Sequence, residues 1–227
     1  MPKTLPMLKI DVITLFPDLF NEYLNVLPLK RAIQKDLVQV NFHNIRKYAM
    51  DKYGTVDDTP YGGGVGMVMM IEPIYKCLLD IYGTETDFPK KDTKKAIVYL
   101  SPTGTRYTQA KARDFSLYEQ ITLICGRYEG IDARIMEYAT DIISIGDYVL
   151  SGGEIAAQVI MESAVRLIPG VLEKSVAVTN ESFSEMLAEY PQYTKPEEFM
   201  GKKVPDTLLS GNHKAIEKWK TDHSIKY

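Results

Sequence analysis

Residues 144–154 read SIGDYVLSGGE, a short apolar run bracketed by Gly146 and by the pair Gly152 and Gly153. With no Cβ in the way, a glycine-flanked backbone can reverse direction and let a ligand approach its N–H and C=O groups. Those main-chain groups suit an adenine-like base. From this stretch alone, a tight turn leading into a helix reads equally well. Two further segments shift the balance toward a ligand loop. Residues 99–104 (YLSPTG) end one apolar strand, and residues 125–132 (CGRYEGID) end another. All three loops follow β-like runs and lead toward helices, and ligands of open α/β sheets collect at the carboxyl ends of the strands.

Working outward, residues 8–16 (LKIDVITLF) read as a buried strand stopped at Pro17. Residues 29–33 have helical character. Residues 37–45 (LVQVNFHNI) alternate like a half-buried strand, in which His43 is expected to be structural. Residues 95–100, 120–125 and 141–145 predict further strands, and residues 71–81, 109–115 and 134–138 predict helices. The clearest helix covers 154–167 (EIAAQVIMESAVRL), with apolar residues three and four apart and Pro169–Gly170 as its stop. This alternation predicts an α/β fold with a mostly parallel sheet flanked by helices. The expected organisation is a main domain over 1–172, a polar linker over 173–189, and a small, mostly helical C-terminal domain over 190–227. The last has too little apolar material for a core of its own, and its helix is centred on Trp219.

Residues 51–66 (DKYGTVDDTPYGGGVG) are too polar and glycine-rich for strand or helix. A loop of that length in a compact domain is usually functional or disordered. It is not a nucleotide-binding P-loop, because no lysine follows the glycines.

The 227 residues, 45% hydrophobic, can bury one sizeable core and a small appendage. No apolar run reaches the ~20 residues needed to span a bilayer, and the start MPKTLPMLKIDV has no signal-peptide pattern. Cys77 and Cys125 sit in apolar settings, as buried thiols of a reducing compartment do. A cytoplasmic protein is therefore expected, with no membrane partner. A net charge of -3 and a pI near 5.7 give no global sign of a nucleic-acid binder. RNA would have to be drawn by local basic patches such as Arg46–Lys47, Lys94–Lys95 or Lys202–Lys203. Each of these reads equally as a solvated face.

The three loops, with TVDDTPYGGGVGM at 55–67 and LLSGNH at 208–213, closely resemble the bacterial tRNA (guanine-N1)-methyltransferases of the TrmD type, from about Leu8 onward. Long motifs in the same order are far more specific than any single glycine loop. The resemblance implies a SPOUT-class fold with a C-terminal trefoil knot, a feature general fold rules treat as rare. It implies a homodimer in which the linker of one subunit reaches the other's active site. The methyl donor it implies is S-adenosylmethionine, and the substrate is the anticodon arm of tRNA, methylated on N1 of guanine 37. The family has been associated with Mg2+, and any such ion is expected to bind weakly near carboxylates or RNA phosphates.

Family positions for the donor fall on Tyr99, Leu100 and Ser101 in the first loop, and on Gly126, Tyr128, Glu129 and Gly130 in the second. In the third they fall on Ile145, Gly146, Asp147, Tyr148, Val149, Leu150, Gly152 and Gly153. For the aliphatic residues core packing explains the residue type equally well, whereas Gly126 and Gly146 favour the ligand. The glycine-rich loop is implied to cover the donor pocket, with Val65 where proline is usual. Methylation of N1 requires that its proton leave and that charge growing on O6 be stabilised, tasks for a carboxylate and a guanidinium. Arg166 matches the family's arginine. The carboxylate position falls on Glu181, before Ser182–Phe183, where the family has aspartate. Lys195 stands where arginine is usual, and the chain ends soon after Trp219, departures that would weaken the grip on RNA. Two alternatives remain at this level: a SPOUT methyltransferase acting on another RNA, and an RNA-binding homologue that keeps the donor pocket without a competent base.

Overall fold

The computed structural model describes residues 6–172, 187–188 and 190–226. The chain divides into two compact units, Met1–Glu173 and Lys174–Tyr227. In the first, strands β1 (Leu8–Thr14), β2 (Val38–Asn44), β5 (Lys95–Arg106), β6 (Gln120–Cys125) and β7 (Asp141–Ser144) form one sheet, ordered β2-β1-β6-β5-β7. Every neighbouring pair is parallel. Two-residue strands β3 (Asp57–Asp58) and β4 (Val68–Met69) form a separate antiparallel ladder. The helices are α1 (Leu29–Gln34), α2 (Ile71–Tyr82), α3 (Gln109–Phe115) and α4 (Glu154–Val165).

Period-two alternation sends each central strand's side chains to opposite faces, and both faces are covered. Ile10, Val12, Val98, Leu123 and Cys125 pack with Ala157, Ile160 and Met161 of α4. Ile13, Ile97, Tyr99 and Ile124 pack with Ile74, Cys77 and Leu78 of α2. The sheet is thus the middle of three layers. Both cysteines are buried free thiols, and burial pushes Cys77 up to about 12.

Asp11, fully buried in β1, is the polar exception. It accepts hydrogen bonds from Gln120 Nε2 at 2.8 Å and Asn41 Nδ2 at 3.0 Å. His43 Nε2 lies 3.0 Å away and Lys9 Nζ 3.2 Å away. His43 is therefore structural, as its place in the alternation predicts. Burial opposes the charge on Asp11, but these bonds together outweigh it and hold the carboxyl at about 2, below the ordinary 3.8. A carboxyl depressed on folding contributes stability that is present above its unfolded value and lost as pH falls toward its folded value, here worth roughly 2 kcal/mol. Denaturant melts are expected to lose that amount between about pH 4 and 2, and Asp11→Asn to flatten that part of the profile while lowering stability at neutral pH.

Sequence and structure part company at several elements, among them β3, inside the stretch 51–66 expected to hold no strand, and Leu187–Ala188, a strand inside the expected linker. The predicted helix at 134–138 is a 3-10 turn, Ala133–Glu137, capped by Asp132, whose carboxylate accepts the Arg134 N–H at 3.0 Å. Strand β5 does not stop at residue 100. Leu100 pairs with Ile143, the register shifts, and Thr105 pairs with the same Ile143. Gly104 makes this possible, because a Cβ there would sit 2.6 Å from the Ile142 backbone. Residues 101–104 are thereby displaced from the ladder at the carboxyl end of the sheet.

The second unit contains β8 (Leu187–Ala188), β9 (Glu198–Phe199), β10 (Lys202–Lys203), α5 (Asp206–Leu209), α6 (His213–His223) and β11 (Ile225–Lys226). β9 pairs with β10 and β8 with β11, both antiparallel. Trp219 stacks on His223 with ring centroids 4.0 Å apart, and Tyr190 and Tyr193 meet it edge-on. None of the side chains described in this unit is buried, as expected of a segment with little apolar material.

Candidate active site

The carboxyl ends of β5, β6 and β7 open into a cavity of about 280 Å³. Its first wall is Tyr99, Leu100, Ser101, Pro102 and Thr103. Its second is Gly126 to Gly130. Its third runs from Ile143 to Gly146 and from Tyr148 to Gly153, with Ala156 of α4. The three loops quoted above are brought together here. Asp147 is set apart: it points into solvent and pairs with Arg106, which holds its carboxyl below the usual carboxylate range.

The loops are held by main-chain bonds and close packing. The Gly153 N–H donates to the Gly126 carbonyl at 2.9 Å, stitching the second loop to the third. A Cβ on Gly153 would lie 2.7 Å from Cys125 Cα, so only glycine permits that approach. Ser144 Oγ donates to the Gly146 carbonyl at 3.0 Å, forming the turn that begins the third loop. At Gly146 a Cβ would meet the Tyr148 ring at 2.3 Å, so packing already accounts for that glycine. Gly126 differs. Its Cβ would find only ordinary contacts at 3.5 Å, and the residue type leaves room in the cavity rather than answering a clash.

The glycine-rich segment is attached to the second loop. Glu129 N–H donates to the Met67 carbonyl at 3.0 Å, and Met69 N–H to the Gly130 carbonyl at 2.9 Å. Gly62, Gly63, Gly64 and Gly66 all have positive φ, which glycine adopts without strain. Tyr61 and Val65 are fully exposed there. This segment therefore borders the cavity mouth through Glu129.

Three residues at the site are given no role by sequence reasoning, although Arg127 and Glu154 lie within the quoted loops: Thr14, Arg127 and Glu154. Glu154 opens α4 with its side chain 1% exposed, and accepts from Arg127 Nε at 2.9 Å and Thr14 Oγ1 at 2.8 Å. Arg127 Nη1 donates to the Ser151 carbonyl at 3.3 Å, and its guanidinium lies 4.6 Å from the centre of the Phe16 ring. The pair spans 27 residues of sequence. No local periodicity carries such a signal. A buried acid at a helix start facing an arginine in a glycine loop is the only hint.

Arg166 caps the far end of α4, whose first turn lines the cavity. From Ala156 of that turn to Arg166 is ten residues of helix at 1.5 Å each, about 15 Å. Within one chain, arginine and cavity are apart. Ile155, Val159, Glu162 and Arg166 follow one another at helical spacing on one face of α4, and Ile155 and Val159 are exposed. Gln158 Nε2 on the same helix donates to the Leu19 carbonyl, and Tyr23 Oη to Glu162, so the exposed Phe16 and Leu19 belong to a segment tied to α4. Glu181 lies outside the described residues. Cys125, beneath the cavity, is pushed well above its ordinary value by burial, with Glu154 adding to the effect, and is no nucleophile. Among the described residues no group of three His, Cys, Asp or Glu side chains is placed to hold a metal, and no helix is long and apolar enough to cross a membrane.

The profile of the family tRNA (Guanine-1)-methyltransferase TrmD matches residues 8–227. A tRNA (guanine-N(1)-)-methyltransferase of Clostridioides difficile is 46% identical over 220 residues, covering 96% of this chain and 93% of the relative. Proteins of the same name from Dictyoglomus turgidum and Caldicellulosiruptor saccharolyticus are 47% and 50% identical over 97% and 94% of this chain, and 86% and 84% of theirs. The chain belongs to the tRNA (guanine-1)-methyltransferase TrmD family.

Proposed function

We propose that the chain is a tRNA (guanine-N1)-methyltransferase that draws on S-adenosylmethionine and modifies guanine 37, beside the anticodon. The observation that carries this reading is the meeting of three glycine-containing loops around one cavity at the strand ends, in a chain of this family. The residues present fit the donor. Gly126 leaves room in the cavity, since even a Cβ there would find only ordinary contacts at 3.5 Å. The charged groups lining the cavity are Arg127 and Glu129. Arg127 is neutralised by Glu154, which leaves the Glu129 carboxylate to face the donor's cationic sulfonium and ammonium. When bound, the donor supplies an electrophilic methyl group.

The chain's own residues do the rest. Glu181 accepts the N1 proton of guanine, and Arg166 stabilises the charge that gathers on O6 as that proton leaves. The length of α4 keeps Arg166 from its own cavity, so the arginine and the linker carboxylate acting at each cavity come from a second copy. The face of α4 that carries Ile155, Val159 and Arg166, with Phe16 and Leu19 beside it, suits such an isologous homodimer. A SPOUT-type knot in this region is part of the same reading. Residues 190–227 serve as the RNA-binding domain and 173–189 as the linker. Trp219 with Tyr190 and Tyr193, with Lys220 over the Tyr190 ring and Lys202 and Lys203 in the same unit, supply the aromatic and cationic groups RNA binding uses.

Label transfer from radioactive donor to unmodified tRNA with guanines at positions 36 and 37 tests the reading. Label on N1 of guanine 37 is expected, at least a hundredfold above tRNA whose position 37 is adenine. Label confined to another RNA, or donor binding without transfer, overturns it.

A further inference from the structure

The Arg127–Glu154 pair does not belong to the reacting atoms, yet it touches every wall of the cavity but the first. Arg127 Nε and Nη2 both reach Glu154 Oε2 at 2.9 Å, and Nη1 reaches the Ser151 carbonyl. Arg127 N–H lies 3.1 Å from Met69 Sδ, beside the ladder that anchors the glycine-rich segment. The other oxygen of Glu154 takes the Thr14 hydroxyl at the end of β1, and that hydroxyl in turn accepts the Phe16 N–H at 3.0 Å. One ion pair therefore fixes the second loop, the third loop and the start of α4 to the end of β1. Gly152 is shaped by it as well, since a Cβ there would fall 2.2 Å from Arg127 Nε.

A buried ion pair is a poor stabiliser, because desolvating both charges offsets most of their attraction. Apolar replacements of like size are often as stable or more so. What an apolar pair lacks is direction. A guanidinium fork sets the angle and distance of two acceptors at once. Here the acceptors are a carboxylate on the sheet side and the carbonyl that precedes Gly152–Gly153 on the cavity side.

We infer that Arg127 and Glu154 are positioning residues that hold the donor loops in register, so that the Ser151–Gly153 main chain faces the donor at a fixed angle. The inference rests on the donor reading above. Three full-length variants, Arg127→Lys, Glu154→Gln and the double Arg127→Met/Glu154→Leu, are compared with the wild type. Calorimetric titration with S-adenosylhomocysteine, melting temperature, and KM for donor and for tRNA are the readouts. Arg127→Lys keeps the charge but not the fork, and is expected to weaken donor binding by roughly ten- to a hundredfold, as the loss of one hydrogen bond to a charged group does. Its KM for tRNA stays within about twofold and kcat at saturating donor is largely kept. The double variant removes both charges, so it regains the melting temperature lost in Glu154→Gln but not the donor affinity. A purely structural pair gives the opposite result, with donor affinity returning as stability returns. That outcome, or a folded Arg127→Lys that binds within about twofold of wild type, overturns the inference and leaves the donor reading intact. Failure of the wild type itself to bind sinks both.

Discussion

Mixed dimers of Arg166→Ala chains and Gly126→Phe chains recover methyl transfer that neither variant shows by itself. On the proposed mechanism, Arg166→Ala removes the guanidinium that stabilises O6, a loss expected to cost ~10²–10³ in kcat. Its donor cavity is untouched, because about 15 Å of helix separates the two in one chain. Gly126→Phe does the reverse. Its Cβ finds only ordinary contacts at 3.5 Å from Tyr99 and Ile131, so the chain folds while the ring fills the cavity. In a mixed dimer the Arg166→Ala chain offers an intact cavity and its partner offers the arginine and the linker. One of the two sites is complete. Random pairing makes half of the dimers mixed, so about a quarter of the wild-type rate is expected at equal expression. If Arg166 acts on its own cavity, no arrangement of these chains has a whole site and the mixture stays inactive. The measurement separates the two with a readout that starts from near zero.

The geometry behind that experiment was only partly legible in the sequence. Strand positions were, because β1, β5 and β6 are buried on both faces and read as apolar runs. The cavity's location followed from three loops that each end such a run. The order of the strands did not follow, since pairing of β1 with β6 and of β5 with β7 joins segments far apart in the chain. The extension of β5 through Ser101–Arg106 was hidden because its proline and glycine read as loop, while what holds it is the distant backbone of β7. The same holds for Arg127. The motif CGRYEGID marks the loop, but only the fold brings Glu154 and Thr14 around the guanidinium. Arg166 shows the converse: its position in the motif was plain, and its separation from the cavity emerges only once α4 is seen to start at one and end at the other.

Glu181→Gln abolishes transfer, and Glu181→Asp transfers at least as fast as the wild type. The argument starts from the proton on N1 of guanine, which must go to a base within hydrogen-bond reach as the methyl arrives. A positioned base contributes typically 10²–10⁴-fold, and glutamine, equal in size but without basicity, forfeits that factor. Arg166 alone cannot replace it, because a guanidinium stays protonated at any workable pH and accepts no proton. Glutamate where the family carries aspartate adds one methylene and displaces the carboxylate by roughly an ångström, a misplacement that can cost ~100-fold. If the linker accommodates either length, Glu181→Asp leaves the rate about equal. If it has not, shortening the side chain restores reach and the rate rises. A fall of more than about tenfold in Glu181→Asp would mean that the linker is fitted to glutamate alone. Normal turnover in Glu181→Gln would place the base elsewhere. On the proposed arrangement Arg166 and Glu181 serve the same partner cavity, so mixing Arg166→Ala with Glu181→Gln should leave activity unrecovered, whereas each is rescued by Gly126→Phe.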